Sequence, residues 1–249
     1  MHNGGTLLQR LRNNRDPGWE NDVHIPDGFI DAPVAAGAAV LSVAGIAVCL
    51  RGARRTLDER TAPLAGLVAV FVFAAQMINF PVGLGTSGHL IGAALAAILV
   101  GPYAGALALT VVLSVQALVF ADGGLTALGL NILNLALIAT IVGWFSFRGV
   151  VRTFGSAKGS VVAGAWLAGF LSVLGAVTGF LVEFALGGVA PIDLGAVIAA
   201  MFSVHVIIGA IEGVITALIV WSVATVRPDL IAGLKGQRPT VTQRAEVPA

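Results

Sequence analysis

Residues 194–226 read LGAVIAAMFSVHVIIGAIEGVITALIVWSVATV, and Glu212 is the only residue among them with a full charge at neutral pH. A helix needs about 20 apolar residues to cross the hydrocarbon core of a bilayer. This run is longer, so we expect a helix that is tilted or extends beyond the hydrocarbon. The stretch therefore predicts an integral membrane protein.

The composition of the whole chain agrees with a membrane location. Hydrophobic residues make up 57% of the 249 residues and charged residues 11%, whereas soluble domains contain about 25% charged residues. The mean hydropathy is +0.93. With a single cysteine, Cys49, the chain has no disulfide framework and no cysteine zinc site. The net charge of +1 gives no indication of a nucleic-acid partner, so we expect membrane lipid and no nucleic acid.

Six further apolar runs precede residue 194. They are residues 33–50, 62–82, 90–100, 103–121, 125–147 and 160–186. The third run has about half of the ~20 residues that an upright crossing requires, so we expect a short helix that lies partly within the protein. Together the runs predict an all-α, polytopic membrane protein with about seven transmembrane helices and an external N-terminal loop.

Both ends of the chain are polar. Residues 1–22 contain no apolar core of the kind that a signal peptide needs, and we interpret them as a disordered or mis-assigned N-terminal extension. Residues 23–230 form the transmembrane domain, to which we assign the metal site described below. We interpret residues 231–249 as a disordered cytoplasmic tail.

The positive charges predict the orientation of the bundle. After residue 23, every Lys and Arg lies within 51–60, within 148–158 or beyond 226. With seven crossings these segments share one side of the membrane, and the positive-inside rule makes that side cytoplasmic. The other connecting segments contain no Lys or Arg: 23–31, 83–88, 121–124 and 187–193. We therefore expect these four segments to lie outside and to meet one another.

Three arginines near the N-terminus contradict this orientation. Arg10, Arg12 and Arg15 would lie outside, in a segment short enough for the positive-inside rule to apply. We hypothesise that residues 1–22 are not translated and that Val23 marks a GTG start codon, which is read as methionine. The mature chain would then begin at residue 23.

A polar segment precedes the first apolar run, and it reads Val23-His24-Ile25-Pro26-Asp27-Gly28-Phe29. Pro26 lacks an amide donor and biases Ile25 away from the helical region. Asp27 followed by Gly28 favours a tight turn. We therefore expect a fixed loop that presents His24.

Two external histidines, His24 and His89, are candidate metal ligands, because neutral imidazole is the commonest metal ligand among side chains. A lone loop histidine more often hydrogen-bonds to the backbone, whereas two on one face favour a metal. If Val23 is the first residue, its amine could chelate together with the amide and imidazole of His24 and leave a fourth position for His89. Four nitrogens in a plane favour Ni(II) or Cu(II). Met1-His2 offers a similar chelate, but no turn follows it, and we interpret it as coincidence.

Several motifs recur in one family of transport proteins. They are VHIPDGF (23–29), FAAQMINFPV (73–82), GTSGHLIGAALAAILVGP (85–102), FADGG (120–124) and SVHVIIGAIEGVITALI (203–219), followed by RPDL (227–230). Together they resemble the cobalt/nickel-specific substrate-binding (S) component of energy-coupling factor transporters, of the NikM/CbiM type. The similarity covers residues 23–230 in order.

The resemblance implies a fold, a ligand set and partners. It implies an S-component bundle in the cell membrane that captures Co(II) or Ni(II) outside, holds no cofactor and is not an enzyme. The implied ligands are Val23, His24 and His89. The implied partners are a transmembrane coupling (T) subunit, two ATPase subunits and, in many systems, a small auxiliary membrane subunit. The departure is that Val replaces the family's initial Met and that 22 residues precede it.

The chain contains no GxxxxGK[ST] run, so it hydrolyses no nucleotide by itself and energy for uptake comes from partners. Metal ligands also need neighbours that orient them. The polar residues placed to do so are Asp27, Asn79, Ser87 and Asp122.

Ionisable residues within the apolar runs are functional candidates, since they are costly in a membrane. His205 and Glu212 lie on one face of the last helix. We favour a buried structural pair, hydrogen-bonded to Gln76, Gln116, Asn131 or Asn134, and Glu183 is less specific still.

A second function class remains open. The sequence Gly85-Thr86-Ser87-Gly88 matches the GxSG of rhomboid-type intramembrane serine proteases, with Ser87 as nucleophile and His205 as base. Four residues are a weak signal, and the HIPDG segment has no role in proteolysis.

Overall fold

The computed structural model describes residues 24–59, 61–83 and 86–236, and most of them are helical. The helices are α1 (Ala32–Thr56), α2 (Thr61–Gln76), α3 (Ala93–Val100), α4 (Pro102–Val119), α5 (Leu128–Phe154), α6 (Lys158–Gly187) and α7 (Leu194–Val226). Two short 3-10 turns follow, Pro228–Leu230 and Ala232–Leu234. Within the described part of the chain, the predicted α-helical membrane architecture is confirmed.

Five of these helices are long and apolar enough to cross a membrane, namely α1, α4, α5, α6 and α7. Helix α2 is apolar but has only 16 residues. Helix α3 has eight residues and every one of them is buried. The prediction of a short helix within the protein at residues 90–100 is therefore confirmed, and the chain is an integral membrane protein.

The prediction that residues 62–82 form one continuous span is wrong beyond Gln76. There α2 ends, and the chain forms an antiparallel hairpin of β1 (Asn79–Gly83) and β2 (Thr86–His89). Pro81 lacks the amide that a continuing helix needs, and an apolar run by itself does not distinguish a helix from a strand. Residues 83–88, which we expected to be a loop, belong largely to this hairpin, and Asn79 pairs with His89 in its register.

Aspartates begin two of the spanning helices on the side of the polar loop. Asp31 Oδ1 accepts a hydrogen bond of 3.0 Å from the amide of Val34 at the start of α1. Asp193 Oδ1 accepts one of 3.0 Å from the amide of Ala196 at the start of α7. Such N-caps satisfy amides that have no partner within the helix.

Helix α5 contains a π-helical stretch, Ile132–Ile138, between two α-helical parts. A π-turn inserts an extra residue into the helix and is found mainly at functional sites. Asn131 precedes the stretch and Asn134 lies within it, so it determines where these two amide side chains point.

Small residues let the helices approach closely around α3. A Cβ on Gly105 of α4 would lie 2.9 Å from the amide nitrogen of Ala97. A Cβ on Gly169 of α6 would lie 2.9 Å from the Cα of Gly213 of α7. Such approach is the usual basis of helix packing in membranes.

The ordered chain extends past the predicted boundary at residue 230. Ile231, only 1% exposed, is buried in the core. Arg148 Nη1 donates hydrogen bonds to the carbonyls of Gly233 at 3.2 Å and Lys235 at 2.8 Å. Residues 231–234 thus pack against the bundle, whereas we predicted a disordered tail from residue 231. The predictions for residues 1–22 and for 237–249 fall outside the described residues.

Candidate metal centre

The loop that begins at His24 covers one end of the helix bundle. Gly28 has φ +76°, and the amide of Phe29 donates a hydrogen bond of 3.4 Å to the carbonyl of Pro26, so the predicted turn is present. Phe29 is 2% exposed, and its ring centroid lies 6.1 Å from that of Phe180 and 5.6 Å from that of Phe184. The buried aromatic ring anchors the loop to α6.

Asn131 of α5 holds the backbone next to His24. The amide of Ile25 donates to Asn131 Oδ1 at 3.1 Å, and Asn131 Nδ2 donates back to the carbonyl of Ile25 at 3.3 Å. The same carbonyl accepts a hydrogen bond of 3.0 Å from the amide of Gly124. A buried side chain that satisfies both polar groups of one residue fixes that residue's position.

Asp27 links the loop to the segment before α5. Its Oδ1 accepts hydrogen bonds from the amide of Thr126 at 2.8 Å and from the Thr126 hydroxyl. The hydroxyl bond holds the pKa of the Asp27 carboxyl below its ordinary value. Asp27 is therefore ionised at neutral pH and acts as a latch between two loops.

The two glycines of the FADGG motif are required by this contact. Gly123 has φ +88°, and a Cβ on it would lie 2.6 Å from the Cβ of His24. A Cβ on Gly124 would collide with Asp27. Since L-residues rarely adopt such a positive φ, glycine alone suits position 123.

The two predicted histidines meet beneath this loop. The ring centroids of His24 and His89 are 4.7 Å apart, with 56° between the ring planes. Each residue is 6% exposed. His24 Nδ1 lies 3.2 Å from Asp122 Oδ1. Among the residues that the structure describes, His24 Nε2 has no hydrogen-bond partner, although buried polar atoms normally have one. An ion held between the rings would supply the missing partner.

The protonation state of His89 suits a metal ligand. Its Nδ1 lies 2.8 Å from the carbonyl oxygen of Leu90, which can only accept, so the proton is on Nδ1 and the lone pair is on Nε2. Burial, together with the nearby His24, lowers the pKa of the His89 imidazole to about 3. The ring is therefore neutral at physiological pH.

The structure brings most of the sequence-predicted residues together. His24, His89 and Asp122 form one connected cluster, and Asp27 in the same loop bonds to Thr126. Val23 lies outside the described residues. For Asn79 and Ser87 the hairpin register gives the backbone positions, opposite His89 and Pro81.

Across the described segments, no group of three or more His, Cys, Asp or Glu side chains is arranged to hold a metal ion. The side chains therefore contribute two close imidazoles, and a four-coordinate site requires nitrogen or oxygen atoms from elsewhere, such as the main chain.

The expected pairing of His205 and Glu212 with amide side chains is wrong. Glu212 accepts hydrogen bonds from the backbone amides of Ile91 and Gly92 instead. His205 Nδ1 lies 2.8 Å from the carbonyl of Met201 in its own helix. A Cβ on Gly88 would lie 2.9 Å from His205 Nε2, so the His205 ring packs against the hairpin that carries His89.

Sequence reasoning missed the roles of Asn131 and Thr126. Asn131 was grouped with Asn134, but Asn134 Nδ2 donates to Glu183 Oε2 at 2.6 Å and does not contact the loop. In the sequence, the sign of a role for Asn131 was a polar amide side chain within an apolar run. Nothing in the sequence indicated a role for Thr126.

A bundle of apolar, membrane-length helices that buries two close imidazoles beneath a polar loop is the architecture of a membrane protein with a candidate metal site. The family model described as cobalt uptake substrate-specific transmembrane region matches residues 24–230, and the chain belongs to this family. The resemblance noted in the sequence is therefore confirmed.

Named relatives and a solved structure agree. The chain is 41% identical to a putative fused nickel transport protein of Archaeoglobus fulgidus, over 84% of this chain and 68% of that protein. It is 42% identical to a putative metal transport protein of Haloquadratum walsbyi, over 84% of this chain and 93% of that protein. The crystal structure of a truncated transition metal transporter superposes with a TM-score of 0.74 at 31% identity, covering 82% of this chain and 99% of that one.

These matches decide the class of function. The family and the relatives are metal transport proteins and not enzymes, so this chain is a membrane protein of cobalt and nickel transport. The alternative of a serine protease built on Ser87 and His205 is set aside.

Proposed function

We propose that this chain is the substrate-specific subunit of an energy-coupling factor transporter, which captures Co(II) or Ni(II) outside the cell for ATP-driven uptake by partner subunits. The observation that carries the proposal is the 4.7 Å separation of the buried His24 and His89 rings. Two close, buried imidazoles, one with a nitrogen that has no hydrogen-bond partner among the described residues, match the ligand preference of both metals.

The proposed ligands are the terminal amine of Val23, the amide and imidazole of His24, and the imidazole of His89. This set uses two imidazole side chains and takes its other ligands from the main chain. It is therefore compatible with the described residues, which contain no group of three or more His, Cys, Asp or Glu side chains placed to hold a metal ion. Asp122 orients the His24 ring, and Asp27 holds the loop that carries His24 to Thr126. Neighbours of this kind raise metal affinity because they fix the ligands before the ion arrives.

The proposed orientation places the metal loop outside and the C-terminus in the cytoplasm. The loop at residues 24–31 contacts Gly124 and Thr126 on one side and Gly187 on the other. These segments contain no Lys or Arg. A positively charged opposite side supports a cytoplasmic location for residues 148–158 and for Arg227.

The proposed partners are a transmembrane coupling subunit, two ATPase subunits and a small auxiliary membrane subunit. The chain itself carries no nucleotide-binding run, so uptake against a gradient requires an external source of energy. One relative is a fused transport protein that is longer than this chain, which agrees with a component that works joined to others.

The test is isothermal titration of purified protein with Ni(II) and Co(II), on chains that begin at Met1 and at Val23. His24→Ala and His89→Ala should each abolish binding, whereas His2→Ala should leave it unchanged. The two metals are titrated in parallel, since affinity alone separates them only slightly. Unchanged binding in either of the first two variants contradicts the proposed site.

A further inference from the structure

Glu212 lies on the last helix, in the middle of an apolar run, and is 2% exposed. Both of its carboxylate oxygens accept hydrogen bonds from consecutive backbone amides. The amide of Ile91 donates to Oε2 at 2.6 Å, and the amide of Gly92 donates to Oε1 at 2.9 Å. More than a hundred residues of chain separate the donors from the acceptor, so this contact is a tertiary clamp.

A buried carboxylate is costly, and this one receives specific compensation. Removing an ion from water costs several kcal/mol unless strong hydrogen bonds replace the lost solvent. Charge-assisted bonds from amides are about twice as strong as neutral ones. Gly92 also precedes the first residue of α3, and a negative charge at a helix N-terminus is favourable.

The clamp acts on the peptide group that orients His89. The carbonyl of Leu90 and the amide of Ile91 belong to one peptide unit, which is rigid and planar. The carbonyl end accepts the hydrogen bond from His89 Nδ1 at 2.8 Å. The amide end donates to Glu212. A rotation of this plane would therefore break one bond or turn the imidazole.

The next peptide unit is held in the same way. The carbonyl of Ile91 accepts a hydrogen bond of 2.9 Å from Gln76 Nε2, and the amide of Gly92 donates to Glu212. Gln76 is fully buried at the end of α2. Two helices thus fix two consecutive peptide planes directly after His89.

We propose that Glu212 is a positioning residue for metal binding, which sets the orientation of the His89 imidazole by clamping the peptide group to which His89 donates. The proposal rests on the proposed function, because it assigns a task to His89 as a ligand. It gives the buried carboxylate of the last helix a role that packing alone does not require.

Three variants separate this role from a structural one. Glu212→Gln keeps one acceptor oxygen but presents an NH₂ group to the second amide, so we expect a 10- to 100-fold loss of Ni(II) affinity. Gln76→Met releases the second peptide unit only, so we expect a smaller loss. Glu183→Gln is the matched control: it changes another buried carboxylate, which contacts Asn134, and should leave the affinity unchanged.

The measurements are Ni(II) titration of the full-length purified protein and the visible absorption of the Ni(II)-loaded protein at saturation. A tilted imidazole changes the ligand field, so Glu212→Gln should shift the absorption band, whereas a merely destabilised bundle would lose folded protein and keep the band. The wild type and His89→Ala are measured alongside.

The outcomes are distinguishable. A wild type that binds no metal, or a His89→Ala variant that binds normally, defeats the proposed function. If His89→Ala loses binding while Glu212→Gln keeps the wild-type affinity and spectrum, only the role of Glu212 is overturned. The same conclusion follows if Glu183→Gln loses as much Ni(II) affinity as Glu212→Gln. If Glu212→Gln yields no folded protein, Gln76→Met decides, and wild-type affinity in that variant overturns the proposal.

Discussion

At the scale of single residues, the candidate metal centre is built from backbone and side-chain groups that hydrogen bonds hold in place. Asn131 fixes Ile25, Thr126 fixes Asp27, and Leu90 orients His89. The contacts of Asn131 and Thr126 join segments that are distant in sequence, whereas Leu90 directly follows His89. We therefore expect the affinity of the proposed site to depend on residues that do not touch the ion.

Replacing Asn131 tests this dependence for His24. Asn131→Leu removes both hydrogen bonds to Ile25, so the partly buried amide of Ile25 loses its acceptor while its carbonyl keeps the bond from Gly124. Leaving a buried polar group unpaired costs up to about 1–3 kcal/mol. We expect metal affinity to fall at least tenfold in a titration. Thr140→Val is the control on the same helix, because the buried Thr140 hydroxyl has no hydrogen-bond partner within the described residues. Equal affinities in the two variants would refute the role of Asn131.

The second residue-scale prediction concerns the glycine turn. Gly124→Ala places a Cβ against Asp27, which has to move and break its latch with Thr126. We expect weaker metal binding without loss of the helical content seen by circular dichroism. Gly66→Ala is the control, since a Cβ there meets nothing within 4 Å. Wild-type affinity in Gly124→Ala would show that the two loops are not coupled.

At the scale of elements, hydropathy identifies where the membrane-length helices lie but does not give their first and last residues. The apolar run at 194–226 has the same bounds as α7, because the apolar residues extend over the whole length of this helix. Helix α1 continues to Thr56, beyond the predicted end at residue 50, because arginines are good helix formers but are not apolar, so hydropathy does not report them.

The β-hairpin and the contact of Glu212 with the Ile91 and Gly92 amides could not be predicted from the sequence, because both depend on contacts between separate segments of the chain. Phe80 and Val82 of β1 continue the apolar run of α2, and only pairing with β2 reveals a strand. The approach of Glu212 to Ile91 depends on how α7 packs against α3. By contrast, the approach of His24 to His89 could be expected from the sequence, because each lies in or beside a connecting segment without Lys or Arg.

Helix packing gives a prediction at this scale. Gly169→Val forces a side chain into the backbone contact between α6 and α7 at Gly213. Overpacking of this kind costs about 1–3 kcal/mol. We expect a lower midpoint of thermal unfolding in detergent, whereas Gly159→Ala, whose Cβ meets nothing within 4 Å, should leave the midpoint close to that of the wild type. Identical midpoints would contradict the close approach of these helices.

At the scale of the whole molecule, the charges and the metal loop define two different faces. The loop cluster around His24 contains no Lys or Arg, and the opposite connections contain all of those in the described chain. Capture on one face and partners on the other is the arrangement that uptake requires.

Cysteine labelling in intact cells tests this orientation. In a Cys49→Ala background, Val189→Cys lies beside the metal loop and Ala157→Cys lies in the positively charged connection between α5 and α6. A membrane-impermeant maleimide should label residue 189 in intact cells and residue 157 only after permeabilisation. The reverse pattern would invert the proposed topology.

The position of the N-terminus also matters at the scale of the whole molecule, because it decides whether a terminal amine is available as a ligand. If Val23 is the initiating residue, mass spectrometry of protein expressed from the native gene should find a chain that begins at residue 23 with methionine. A peptide that spans Asp22 and Val23 would reject this start, and the terminal amine would then be unavailable as a ligand.

The most direct test of the central claim is X-ray absorption of the Ni(II)-loaded protein. The proposed site predicts nitrogen coordination that includes the multiple scattering of two imidazoles, with one imidazole lost in any metal retained by His24→Ala or His89→Ala. A spectrum without imidazole scattering, or one that is identical in both variants and the wild type, would contradict the assignment of His24 and His89 as the metal ligands.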